Sequence, residues 1–257
     1  MNSVLSRSLD RALPPLDVHA HIDPTVTTAQ LATLGSALVF AVTRSLDEAA
    51  AVASRHDPQL LWGCGVHPGV SAAVSAYDPA TFRSLIDRFV LVGEVGLDRR
   101  GSGKAARGVF ADVVAATAER PILLTIHSAG QSAQVLEVLG RHARGAILHW
   151  FTGTAHQVDL AASQGAYFSA NVAMTDEQLN RLPRDRVLPE TDFPFSRKDG
   201  SARPGDIERL EQRVSQLWRM TRDDVRQGWY RNLRELCIQA GTIDSLPSAF
   251  AVPVLAA

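Results

Sequence analysis

Cysteine is scarce. Cys64 and Cys237 are the only two in 257 residues, and their separation offers no metal-binding pair spacing and argues against a structural disulfide. Long apolar runs are absent as well, since none approaches the roughly 18 residues a membrane span requires. Residues Met1–Pro14 are broken by Arg7, Asp10 and Arg11 where a signal peptide needs an unbroken apolar stretch, so the expected location is cytoplasmic. Nor does either sign of charge predominate. A net charge of −1 excludes the wholesale cationic surface that coats duplex DNA, and any nucleic-acid contact has to be local. What remains is a chain with 46% hydrophobic and 21% charged residues, able to bury a sizeable core and neither disordered nor collagen-like.

Short β-rich apolar runs alternate with longer stretches of helical periodicity, the pattern of parallel strands joined by crossover helices. Eight candidate strands are Leu16–His21, Ala37–Thr43, Leu60–Val66, Val90–Val95, Ile122–His127, Ala146–His149, Ala166–Ala170 and Val187–Thr191. In Phe82–Phe89 and Val109–Ala118 apolar residues recur every three or four positions. Asp78-Pro79 and Asp206 read as helix starts, and further helices are expected near Ile207–Arg219 and Arg222–Ala240. Eight such pairs in about 250 residues match the size of a closed (β/α)8 TIM barrel of the α/β class, with no exposed strand edge. The expected layout is an N-terminal extension (1–14), one barrel domain (15–240) and a C-terminal tail (241–257) that is rich in Ala, Pro and Ser from Ser245.

The histidines are distributed unevenly. His56, His142 and His156 have no acidic partner at a telling spacing and read as surface residues. His19 and His21 end strand one, His67 follows strand three, His127 ends strand five and His149 ends strand six. Glu94 ends strand four, and Asp192 follows strand eight. In a barrel all these ends converge on one face, where active sites of this fold are built.

Two residues apart on a strand, His19 and His21 point to the same side and can chelate one ion. Glu94 has two carboxylate oxygens able to bridge two ions, His127 and His149 offer imidazoles to a second, and Asp192 can serve as ligand, base or both. Such a set suits one or two divalent ions, with Zn²⁺, Mn²⁺, Co²⁺ and Mg²⁺ all admissible.

Asp17-Val18-His19-Ala20-His21, Gly65-Val66-His67-Pro68, Gly93-Glu94-Val95-Gly96-Leu97-Asp98, Ile126-His127-Ser128, His149-Trp150-Phe151-Thr152-Gly153 and Glu190-Thr191-Asp192-Phe193-Pro194 together resemble the ordered signature of TatD-family metal-dependent deoxyribonucleases. The match runs from residue 15 to about 237, and Asn232-Leu233-Arg234-Glu235-Leu236 is similar to the family's terminal Asn-containing helix. This resemblance implies an amidohydrolase-type barrel with His19, His21, Glu94, His127, His149 and Asp192 in the metal positions, and hydrolysis of DNA phosphodiester bonds. Ala129 and Arg99 depart from the usual family pattern. Residues 186–195 and 167–174 are similar to the TatD-like component of Qat anti-phage systems, which implies protein partners in a defence complex.

Arg99, Arg100, Lys104 and Arg107 follow Glu94, while Arg197, Lys198 and Arg203 follow Asp192. Both groups can hold a phosphate backbone, or they can be solvated loop charge. Trp150, Phe151, Phe193 and Phe195 flank two ligand motifs and can stack on unpaired bases, although Phe151 and Phe193 are better suited to the core. His67 is a candidate for contact with substrate or with a metal's water, or for ordinary loop hydrogen bonding. The expected partner is DNA, single-stranded or at an end. Two alternatives stay open: hydrolysis of another ester or amide, such as an aminoacyl-tRNA bond, and a catalytically dead scaffold.

Overall fold

The computed structural model describes residues 12–101, 103–195 and 201–257. Eight strands form one parallel sheet in chain order: β1 (Leu16–His21), β2 (Leu38–Val42), β3 (Leu60–Cys64), β4 (Leu91–Gly96), β5 (Leu123–His127), β6 (Ala146–Leu148), β7 (Tyr167–Asn171) and β8 (Val187–Glu190). The sheet closes on itself. Just beyond β8, the Asp192 N–H donates to the His19 carbonyl at 2.9 Å and the His21 N–H donates to the Phe193 carbonyl at 2.8 Å. The expected TIM barrel is the observed fold.

Strands such as β2 (Leu-Val-Phe-Ala-Val) are buried along their whole length, as parallel strands covered by helices must be. The covering helices begin with α1 (Thr28–Leu31), α2 (Leu46–Val52) and α3 (Ser71–Ser75), and several start where a side chain satisfies a first-turn N–H group. Asp78 accepts from the Thr81 N–H and precedes Pro79, which opens α4 (Pro79–Ile86). Thr154 and Thr175 form capping boxes with Gln157 and Gln178 ahead of α7 (Ala155–Ser163) and α8 (Asp176–Arg181). Between these lie α5 (Lys104–Thr117), which buries Phe110, Val113 and Val114, and α6 (Ser132–Leu139).

After β8 come α9 (Glu208–Trp218), α10 (Arg222–Ala240) and α11 (Ser248–Ala256). Asp206 does not cap α9: Ile207 holds that position without a side-chain bond, while the Asp206 carboxylate accepts the Ala202 N–H. The stretch set apart from composition as a tail contributes α11, whose Phe250 and Val254 are fully buried. They join a cluster that takes at least one residue from every strand, among them Leu16, Leu38, Leu61, Leu91, Leu123, Ile147, Tyr167 and Leu188. This ring and Tyr230, Leu233 and Leu236 of α10 fill the end of the barrel from which the strands start. The opposite end is left for the polar groups.

Candidate metal centre

At the carboxyl ends of the strands the hydrophobic pattern gives way to buried polar side chains: His19, Glu94, His149, Glu190 and Asp192 are all within a few per cent of full burial. Burying charge is costly unless it is paired, so this density of ionisable groups needs a compensating partner. Local backbone geometry serves the same cluster. Gly96, at φ +135°, lets β4 run so close to β5 that a Cβ there would collide with the His127 carbonyl. Trp150 and Asp192 hold positive φ values of +40° and +49°, strained for a bulky Trp and better tolerated by Asp.

The arrangement is organised around Glu94. Its Oε1 lies 2.5 Å from His127 Nδ1 and 3.0 Å from His149 Nε2. Its Oε2 lies 3.1 Å from His21 Nε2, 3.3 Å from His67 Nε2 and 3.6 Å from His19 Nε2. Asp192 Oδ1 is 3.8 Å from His19 Nε2 and 3.7 Å from His21 Nε2. One carboxylate thus presents a different set of imidazoles to each of its oxygens. Three groups have ligand atoms mutually within 4.8 Å: His19, Glu94 and His149; His19, His21 and Asp192; His21, His67 and Glu94. His127 belongs to none of the three but touches Glu94 directly.

Hydrogen bonding tests whether a cation fits. His19 Nε2 and Glu94 Oε2 are buried and have no hydrogen-bond partner among the described residues. The other nitrogen of His19, Nδ1, is 2.6 Å from Thr125 Oγ1. Burial, reinforced by His149, pulls His19 down to about 4, so the ring is neutral at neutral pH. When Nδ1 carries the proton to Thr125, an imidazole lone pair faces a carboxylate oxygen with nothing between them. Burial likewise pushes Asp192 up to about 8 despite His149, with Glu190 and Glu94 adding to the rise. Facing acceptors and an under-compensated carboxylate both fit a divalent cation held by nitrogen and oxygen donors.

Behind the ligands stands a layer of carboxylates. Glu190 Oε2 is 3.5 Å from His149 Nδ1, and Glu190 itself accepts from the Ser169 hydroxyl and, at 3.3 Å, from Asn171 Nδ2. Burial opposes ionisation of Glu190, yet His149 outweighs it and holds the carboxyl below its usual range. Asp98 Oδ2 is 2.9 Å from His127 Nε2 and fixes the far side of that ring. Asp17 accepts from the Thr191 N–H at 2.9 Å, the Thr191 hydroxyl at 2.6 Å and the Gly205 N–H at 2.8 Å. Burial pushes Asp17 up to about 6 against these donors. Sequence reasoning missed all three roles. Asp17, Asp98 and Glu190 all lie inside the quoted motifs, so a carboxylate two to four residues from a ligand was the available signal.

The centre opens into a cavity of about 650 Å³ lined by His21, His67, Glu94, Asp98, His127, His149 and Asp192. Arg100, Trp150, Phe195 and Arg44 also line it, Arg44 having gone unnoticed in the sequence. Phe195 is exposed and sets its ring edge-on to His21, with centroids 5.3 Å apart. Phe151 is core, its ring tilted against Phe168 with centroids 5.7 Å apart, and Phe193 packs partly buried against the cluster that contains Ile22 and Trp62. The four-cation group after Glu94 is not brought together. Arg100 reaches the cavity, but Arg99 and Lys104 are exposed elsewhere and Arg107 pairs with Glu137 on α6 at 2.9 Å. Arg203 is exposed and does not line the cavity, while Arg197 and Lys198 lie outside the described residues. His56 and His156 are exposed and His142 is half-buried, away from the centre.

Known proteins share this arrangement of sequence and fold. Residues 16–237 match the family model described as TatD related DNase. The "uncharacterized metal-dependent hydrolase YabD" of Bacillus subtilis is 25% identical over 191 residues, covering 67% of this chain and 75% of that protein. The "3'-5' ssDNA/RNA exonuclease TatD" of Escherichia fergusonii is 27% identical over 224 residues, covering 77% and 85%. The crystal structure of YjjV, a TatD homolog from Escherichia coli K12, superposes with a TM-score of 0.74 at 19% identity over 86% of this chain and 96% of that one. With the model matching from the first strand to the last turn of α10, the chain belongs to the TatD related DNase family.

Proposed function

We propose that this protein is a metal-dependent nuclease that hydrolyses phosphodiester bonds in DNA, acting on single strands or at ends. The observation that carries the reading is the pair of buried, unpartnered acceptors, His19 Nε2 and Glu94 Oε2, in a cavity that also holds His21, His67, His149 and Asp192. His19, His21, His67, Glu94, His149 and Asp192 would hold one or two divalent ions, with His127 fixed against Glu94. A bound divalent cation supplies Lewis acidity, which offsets charge developing on a phosphate and makes water acidic near neutral pH. Asp192 faces the cavity and would accept the proton of the attacking water; burial pushes its carboxyl up to about 8 when no cation stands beside it, and a bound cation would restore the ionised form that a base requires. Glu94 fixes imidazoles on both of its oxygens. Arg100 meets the substrate's phosphate, and Trp150 and Phe195 offer faces for unpaired bases.

Support for the substrate comes from the relatives named as acting on single-stranded DNA and RNA. Among the described residues no helix is long and apolar enough to cross a membrane. Protein partners in an anti-phage complex are supported by the likeness of residues 186–195 and 167–174 to the Qat component. Purified protein incubated with labelled single-stranded and duplex DNA, with and without EDTA, tests the activity. Cleavage of the single strand that EDTA abolishes is expected, and an inert protein under every metal loading overturns the proposal.

A further inference from the structure

We infer that Arg44 is a phosphate-binding residue of the cavity, contacting a non-bridging oxygen of the backbone phosphate next to the bond that is cut. The inference rests on the nuclease reading. Arg44 follows β2, where Thr43 accepts the Glu94 N–H at 3.0 Å and donates its own N–H to Gly93 at 3.1 Å. The Arg44 carbonyl in turn accepts the His67 N–H at 3.0 Å. Its backbone is therefore held between the segments that carry Glu94 and His67, whatever side chain stands at the position.

The side chain is fixed as well. Glu48, in the first turn of α2 (Leu46–Val52), takes the Arg44 backbone N–H on Oε2 at 2.8 Å. On Oε1 it takes Nε at 3.1 Å and Nη2 at 2.8 Å. Nη1 is left without a partner among the described residues, on a side chain 45% exposed that lines the same cavity as Glu94, Asp98 and Asp192. Among the described residues the only arginines or lysines lining that cavity are Arg44 and Arg100. With the Nε edge taken by Glu48, Arg44 cannot grip a carboxylate ligand through that edge; it can donate from Nη1 to a single anionic oxygen. A nucleic-acid strand centred on the metal-ligand cluster places a further phosphate on either side of the reacting one. Neutral esters and amides offer no such group, so Arg44 would also select for a polyanionic chain.

Arg44→Gln and Glu48→Gln, each supplied with divalent metal, separate a ligand contact from a merely structural ion pair. Binding of fluorescent dT4 should weaken about tenfold in Arg44→Gln, the scale of one charge-assisted hydrogen bond, with the loss in cleavage carried by KM rather than kcat. Glu48→Gln keeps the guanidinium and should bind dT4 at least as well as the parent. Replacing the phosphate beside the scissile bond by a neutral methylphosphonate should cost the parent a similar factor and Arg44→Gln nothing more. Parent-like binding by Arg44→Gln, an equal loss in Glu48→Gln, or an equal methylphosphonate penalty in parent and variant each overturns the inference. Parent protein that binds dT4 without cutting it sinks the nuclease reading while the binding arm still decides Arg44, and parent protein that does not bind dT4 overturns both.

Discussion

Asp192 and Glu190 sit two residues apart, both buried, yet their surroundings push them in opposite directions. Burial drives Asp192 up to about 8, whereas His149 holds Glu190 below the usual carboxylate range against the same burial. With a cation beside Asp192 offsetting that burial, the proposed proton-accepting role falls to Asp192 and the orienting role to Glu190, whose charge faces His149. The Asp192 carboxylate faces the metal-site histidines, with Oδ1 3.8 Å from His19 Nε2 and 3.7 Å from His21 Nε2. Asp192→Asn should lower the single-turnover rate by on the order of 10² to 10⁴ with little change in melting temperature. A near-normal rate with a lowered melting point would point to a structural role instead, and metal analysis of the same variant reveals whether a ligand has been lost. Glu190→Gln removes the charge that faces His149 Nδ1 and should weaken metal affinity about 10- to 100-fold, read by calorimetric titration. Unchanged affinity there would mean that Ser169 and Asn171 alone orient the ring.

The elements carry the ligands but differ in how openly the sequence declares them. Each strand that carries a candidate metal-site group announces itself, because a buried apolar run that meets a histidine or carboxylate is visible as a pattern; β1 and β4 follow it, and β5 brings His127 to Glu94 in the same way. The stretch after β4 does not. Four cations within nine positions read as one patch, yet the start of α5 turns Arg107 toward Glu137 and leaves Arg100 at the cavity. Arg100→Ala should therefore reduce the dependence of DNA binding on salt by about one unit, and Arg107→Ala should leave it unchanged. Measuring log affinity against log salt for the two variants checks this, and equal slopes would restore the single-patch view. Arg44 was illegible for a related reason: its relevance depends on β2 lying beside β4, and one arginine after a strand carries no spacing to betray it. Asp206 was misread because the backbone N–H of Ala202, four residues earlier in the chain, takes the carboxylate that the helix would otherwise use.

At the scale of the whole molecule the barrel has a dry end and a wet end. Composition identified residues after 240 as a tail, since the 13 residues from Ser245 are uncharged and rich in Ala, Pro and Ser, with Pro247 and Pro253 among them; packing decides otherwise. Phe250 stands 5.9 Å from Phe40, ring to ring, and closes the apolar end that the eight strand residues line. Phe250→Ala should cost about 3 to 5 kcal/mol, lowering the melting temperature by several degrees per kcal/mol removed. Metal uptake by the folded variant should be kept, because the ligands sit at the other end. A melting point unmoved by that substitution would show that α11 contributes nothing to the core.

Asp17 joins Thr191 across 174 positions and Gly205 across 188, and the metal centre straddles the same junction, with His19 and His21 on one side and Asp192 on the other. A chain emerging from the ribosome therefore presents its first two histidines long before anything stands opposite them. Contacts this distant in sequence form late, after the intervening units have packed. The centre is in effect timed: growing or prematurely ended chains that stop short of β8 lack Asp192 and everything that Asp17 binds, and the site is whole only once the barrel has closed.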